Sequence, residues 1–236
     1  MKDGLEKYES RLKMFQDSQF SFLLDIPSFR YNGAIIHSLL SRHRSDMGEL
    51  VFELRENFLN FTKMDFALIT GLKFGDIYTV EKSTSKKSIK DTYFKKYPIV
   101  KNSLLQAFEK IVDSNKHSDV VKIALLMCVE FFVRGTDTKN HCNPLFIELV
   151  NSLEEFNKYP WGNVAFESMS QGIQNASHSA KSGGKTYNVL GCIFLLQVSI
   201  ICLFHKSSIY FQTRVFESNE ICCHCHRYGP LKGFQP

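Results

Sequence analysis

The sequence predicts a mainly α fold, a compact helical domain with a short N-terminal β-hairpin. Three observations carry this. Apolar residues recur at intervals of three and four along most of the chain, the spacing that gathers them on one face of a helix. Most of these stretches are bounded by Ser, Thr or Asn on one side and by Gly or Pro on the other, the residues that start and stop helices. One stretch, LVFELRENFLNFT (residues 50–62), has instead the aromatic and β-branched content of two short strands. With 236 residues, 44% of them hydrophobic and 22% charged, the chain is long enough to bury one sizeable core. It carries 21 Phe against a single Trp, so Phe is the main packing residue.

Residues 1–19 read as a peripheral N-terminal helix, with Leu5, Tyr8, Leu12 and Phe15 on one side and charges opposite. The helical domain follows over 20–205. In GAIIHSLLSRHR, Ile35, Ile36, Leu39 and Leu40 have helical spacing, and Arg42, His43 and Arg44 suit the negative end of that helix. The two strands within 50–62 turn at Arg55-Glu56-Asn57. Thr62 then caps a helix KMDFALIT, with Asp65 as an acidic form of the capping box and Gly71 as a left-handed stop. Ser103 and Gln106 form a capping box for LLQAFEKIV, whose Leu104, Leu105, Phe108, Ile111 and Val112 share one face. Ser118 caps DVVKIALLMCVEFFVR, which is apolar nearly all round, closes at Gly135, and is the expected central buried helix.

Asn143 and Pro144 open a helix running through Lys158, with Leu145, Leu149, Leu153 and Phe156 toward the core. Pro160 ends it, Gly162 permits a sharp redirection, and Asn163 caps the next helix, VAFESMSQGI. Trp161, held between the proline and the glycine, is expected to plug the corner between the two helices. A flexible loop around 182–186 precedes a last apolar run, VLGCIFLLQVSIICLF (residues 189–204). That run falls short of the roughly 20 apolar residues a membrane-spanning helix needs and contains Gln197 and Ser199, so it reads as a buried core helix. Residues 206–236 read as a divergent, poorly ordered tail.

The N-terminus is charged from Lys2 onward and shows no apolar signal region, so an intracellular protein is expected. Seven cysteines, an odd number, fit reduced thiols better than a disulfide framework. Asn60-Phe61-Thr62 and Asn175-Ala176-Ser177 match the glycosylation sequon, silent without a secretory route. Motifs that carry chemistry are sparse: the chain has no Gly-x-Ser-x-Gly and no His-Glu-x-x-His. Ser182-Gly183-Gly184-Lys185-Thr186 ends like a phosphate loop, but Ser179 stands where the first glycine of that loop belongs. Cys222-Cys223-His224-Cys225-His226, with Cys202 and His205 upstream, comes near zinc-ribbon spacing. Cys202 falls on the hydrophobic run, however, and the tail reads more simply as a frayed, oxidisable end. No catalytic, cofactor-binding or metal-ligating residue is assigned. Between Lys82 and Lys96, six lysines stand against one aspartate, a local surplus that equals the formal net charge of +5 of the whole chain. With Tyr93, Phe94 and Tyr97 this segment offers phosphate contacts and stacking faces to a nucleic acid. The plainer reading is a solvated connection.

YPWG followed by AFE and preceded by LEEFN, together with FALITGLKFG (residues 66–75) and LVFELRENFLNFTKMDF ahead of it, resembles the plant domain-of-unknown-function family numbered 1985. IIHSLLSRH, KIALLMCVEFFVRG and YNVLGCIFLLQV fall in the family's order, so the resemblance covers residues 20–205. After LQV the family continues with a Trp and an acidic residue, where this chain reads Ser199-Ile200-Ile201-Cys202, and from Phe204 the likeness ends. The resemblance implies a domain that precedes a ubiquitin-like-specific cysteine protease domain in proteins derived from mobile elements. The domain is also similar to the plant mobile domain family, which shares a strand-then-helix start. The resemblance implies no catalytic residue within the domain. The protease's own signature is a Cys in an Asp-Cys-Gly context paired with His, whereas Cys192 lies in LGCIF, within an apolar helix where a thiol is inert. The expectation is a non-enzymatic accessory or protein-interaction domain, intracellular and nuclear, with an unidentified protein partner, no cofactor and no membrane. The alternative is a nucleic-acid-binding module using residues 82–96.

Overall fold

The apolar run predicted as the central helix becomes the axis of the fold. In the computed structural model, which describes residues 1–26, 32–54, 57–79, 88–94, 98–135, 140–183, 189, 191–193 and 195–197, helix α7 (His117–Met127) passes directly into a π-helix over Cys128–Val133. Every residue from Ile123 to Leu126 is fully buried, so this rod needs partners on all sides. The N-terminal helices α1 (Lys2–Glu6) and α2 (Glu9–Gln16) and the later α6 (Lys101–Ile111) surround it, with α2 and α6 packed directly on α7 and α5 (Ile89–Tyr93) touching it. The long helix α10 (Trp161–Lys181) covers the π-helix and packs on α3 (Gly33–Ser41) and α4 (Lys63–Thr70). Between them, α8 (Pro144–Leu149) and α9 (Leu153–Lys158) form a short elbow. One hydrophobic core runs through all of these elements.

The hairpin forms where the alternating stretch places it. β1 (Val51–Leu54) pairs antiparallel with β2 (Asn57–Asn60), Phe52 opposite Leu59 and Glu53 opposite Phe58. The far side of β1 is closed by the end of α3: Arg44 N donates to Val51 O at 2.7 Å and Glu53 N to Arg42 O at 2.9 Å. The helix after the hairpin starts and stops as its sequence dictates. Thr62 Oγ1 accepts from Asp65 N at 3.2 Å, the Asp65 carboxylate accepts from Thr62 N at 2.8 Å, and Gly71 ends the helix at a φ of 69°.

Elsewhere the structure corrects the expected boundaries. The segment expected as one peripheral helix over 1–19 is two helices broken at Lys7 and Tyr8, and Leu5, Phe15 and Arg11 are fully buried. The cause is Arg11, whose guanidinium donates to Gly4 O at 3.1 Å, to Val112 O at 2.6 Å, to Ser114 O and to His117 Nδ1 at 3.0 Å. It satisfies carbonyls left open at the end of α6 and so seats both N-terminal helices in the α6–α7 corner. Ser103 and Ser118 are not caps: α6 begins at Lys101 and α7 at His117. Lys101 N donates to Asn140 O at 3.1 Å and Cys142 N to Ile99 O at 2.8 Å, so a distant segment fixes where α6 begins. The helix expected from Asn143 through Lys158 breaks after Leu149, because Ser152 Oγ accepts from Glu155 N at 3.3 Å and caps a second start. Among the described residues no helix is long and apolar enough to cross a membrane. The apolar run 189–204 lies mostly outside them, although Cys192, Leu195 and Leu196 are buried. The tail 206–236 lies outside them entirely.

Candidate functional site

Trp161 stands where α9 gives way to α10. Its indole is fully buried, with ring centroids 4.8 Å from Phe156 and Tyr159, 5.0 Å from Phe146 and 6.0 Å from Phe20. Nε1 donates to Phe156 O at 2.7 Å, so the one polar atom of the ring is satisfied as well. Gly162 lies inside α10 rather than at a redirection. Its N–H donates to Lys73 O at 2.8 Å, and a Cβ there would stand 2.5 Å from the Phe74 ring. Glycine is needed for that close approach. Asn163 is likewise not a cap: its Oδ1 accepts from Gly75 N at 3.0 Å. Gln19 completes the joint, donating to Asn157 O at 2.8 Å and Tyr159 O at 2.9 Å while accepting from Lys73 N at 2.8 Å. Phe66 meets Phe74 and Phe166 edge-on at 6.3 and 5.8 Å. The two segments FALITGLKFG and YPWGNVAFE therefore face each other across one joint, and their aromatic side chains are engaged in making it.

A second cluster is built from charge. Glu130 sits in the π-helix and is fully buried. Oε2 accepts from Arg134 at 2.7 Å, Oε1 accepts from Asn143 N at 2.7 Å, and the Lys101 ammonium lies 3.6 Å from Oε2 while donating to the Glu130 carbonyl oxygen. Lys101 is itself fully buried. Desolvation holds its ammonium below the usual lysine range, against the pull of Glu130. Arg134 also donates to His141 O at 3.3 Å. The carboxylate thus meets donors from α6, from its own helix and from the 140–143 segment, an ionic lock across three parts of the chain. π-helices recur at functional positions, and here the widened turn carries a fully buried acidic side chain. The sequence held a signal for it: a lone Glu inside an apolar run, with Arg four residues on.

The thiols are quiet. Burial pushes Cys128 and Cys142 up to about 12, with Glu130 adding to the effect on Cys142, and burial raises Cys192 as well. Cys192 Sγ donates to Phe132 O at 3.2 Å. Such groups stay protonated at neutral pH, whereas a nucleophile must be a thiolate. Cys202, His205, Cys222, Cys223, His224, Cys225 and His226 lie outside the described residues. Among the described ones, no three His, Cys, Asp or Glu side chains gather as a metal site would require. Of the basic segment, Lys82, Lys86, Lys87, Lys95, Lys96 and Tyr97 also lie outside the description. Tyr93 Oη donates to Asp119 at 2.6 Å and the Lys116 ammonium stands 5.3 Å over its ring. Burial and then that hydrogen bond raise the Tyr93 phenol above its ordinary value. Phe94 packs on the core. Two aromatics expected as stacking faces are thus engaged within the fold.

Comparison with known proteins places these features in a family. A family model described as "Domain of unknown function (DUF1985)" matches residues 41–172, a span that holds the hairpin, both segments of the Trp161 joint and the Glu130 lock. Protein MAIN-LIKE 2 of Arabidopsis thaliana is 24% identical over 200 residues, covering 79% of this chain and 29% of that protein. The chain therefore spans less than a third of the length of this relative. No solved structure matches significantly.

Proposed function

Because the chain belongs to the family described as domain of unknown function DUF1985, we propose that it is a non-catalytic accessory or protein-interaction domain within longer, mobile-element-derived proteins associated with a ubiquitin-like-specific protease. The observation that supports this best is the state of the described thiols. Cys128, Cys142 and Cys192 are buried and held protonated, so none offers the thiolate a cysteine protease uses. The catalytic chemistry of such a pairing would then reside in the protease domain, with this domain supplying contact. An intracellular, nuclear setting goes with that reading. The test is titration calorimetry of the full chain against a ubiquitin-like-specific protease domain encoded beside a DUF1985 domain. Saturable heat is expected, together with no cleavage of ubiquitin-like precursors by the chain itself. Absence of binding overturns the pairing, and selective labelling of one cysteine by a ubiquitin-like suicide probe overturns the non-catalytic role.

The second reading, nucleic-acid binding through residues 82–96, rests on the concentration of the chain's positive surplus there. With Tyr93 and Phe94 engaged in packing, binding would depend on the lysines and weaken steeply with salt. Replacing Lys86, Lys87, Lys95 and Lys96 by Gln should then lower both affinity and salt slope in mobility-shift titrations. No retardation of single or double strands at low salt removes this reading.

A further inference from the structure

The hairpin has one open edge. In an antiparallel pair, alternate residues turn their backbone groups toward the partner strand and away from it. Phe61 N donates to Leu50 O at 2.9 Å, and Phe52 stands opposite Leu59 and Leu54 opposite Asn57, so positions 57, 59 and 61 bond toward β1. The N–H and C=O of Phe58 and Asn60 therefore point outward. On β1 the corresponding outward groups, Val51 O and Glu53 N, are taken by Arg44 and Arg42. Among the described residues nothing takes those of Phe58 and Asn60. The Phe58 side chain is 50% exposed. Edges of this kind are normally blunted by Lys, Pro or a bulge, and Asn57-Phe58-Leu59-Asn60 has none.

We propose that β2 pairs antiparallel with β2 of a second copy of this chain, joining the two hairpins into one four-stranded sheet. Three features select a second copy as the occupant. The outward residues are two apart, so a two-fold axis at Leu59 sets Phe58 against the partner's Asn60 and Asn60 against the partner's Phe58, and all four outward groups of each strand are satisfied reciprocally. In that register the two Phe58 rings are diagonal neighbours on one face, within reach of each other, and the two Leu59 side chains meet on the other. β2 carries no charge, so the axis brings no like charges together. The opposite edge, on β1, is already closed by Arg42 and Arg44, so the contact ends at two copies and cannot run on into a fibre.

Sedimentation velocity on the full chain tests this, with a dimer fraction that rises with concentration as the expected result. Leu59→Cys places two thiols opposite each other at a pair whose Cα atoms stand about 4.5 Å apart, within disulfide reach. Mild oxidation should crosslink it through position 59, as mapped by peptide mass. Asn57→Cys, whose copies lie out of register, should not crosslink at its own position. Phe58→Lys, at a half-exposed position, should keep the melting midpoint of the dilute monomer and abolish the dimer. The proposal is overturned by a parent chain that stays monomeric at every concentration, by Leu59→Cys crosslinking no faster than Asn57→Cys, or by a dimer that survives Phe58→Lys.

Discussion

Glu130 is held in the core by partners from three parts of the chain, so removing it and removing its cationic partner are not equivalent. Glu130→Gln takes the carboxylate away from buried Lys101 and from Arg134, and breaking a buried pair in this way costs about 3 to 5 kcal/mol. Lys101→Met leaves the carboxylate its bonds from Arg134 and Asn143 and should cost less. Urea denaturation of the two variants measures the order, and the reverse order would contradict the lock. Trp161→Ala should cost about 3 to 5 kcal/mol through the cavity left among Phe20, Phe146, Phe156 and Tyr159, whereas an unchanged midpoint would remove the plug. His43 supplies a pH dependence. It is buried, and burial lowers its imidazole below the ordinary value, against the hydrogen bond to Glu49 O and with Lys181 lowering it further. The unfolded imidazole takes its proton at about pH 6.5, the folded one only at lower pH, so between the two the unfolded state holds more protons. Stability from His43 is complete above that value and lost as pH falls through the folded one. The thermal midpoint should therefore drop on acidification from about pH 6.5, and His43→Leu should flatten that drop.

At the scale of elements, α4 and its entry behave as a self-contained unit. Thr62→Ala removes a reciprocal cap and should cost about 1 kcal/mol. Gly162→Ala drives a methyl group against Phe74 and the Lys73 carbonyl, an overpacking that should cost about 1 to 3 kcal/mol. Thermal melts of both variants against the parent check this. The contrast between the two sites explains what could be read from the sequence. Thr62, Asp65 and Gly71 act on neighbours within a few residues, so the start and stop of α4 are visible in a local pattern. α6 takes its beginning from Asn140, and the need for glycine at 162 comes from Lys73, far away in sequence. No local rule reports such partners. The break at Ser152 was a local signal of the same kind as Thr62, hidden by a continuous apolar spacing across it. The Glu130 lock was half visible: the charge in an apolar run marks a paired group, but the identity of Lys101 as its partner belongs to the folded chain.

For the whole molecule, the matched span 41–172 is smaller than the folding unit. Cutting there removes Arg11 from the α6–α7 corner, Gln19 and Phe20 from the Trp161 joint, and Ile36, Leu39 and Leu40 from beneath α10. The 41–172 fragment should lose the cooperative thermal transition of the full chain in circular dichroism, and a fragment melting as sharply as the parent would show that the N-terminal helices are dispensable. The same long reach has a consequence in time. Gln19 finds Asn157 and Tyr159 at separations of 138 and 140 residues. A ribosome adding about 5 to 20 residues per second needs roughly 7 to 28 s to cover that distance. Throughout that interval Phe20 has been made but Phe156 and Trp161, whose rings receive it, have not, so the nascent chain must carry that ring exposed or shielded by a chaperone until α9 and α10 emerge.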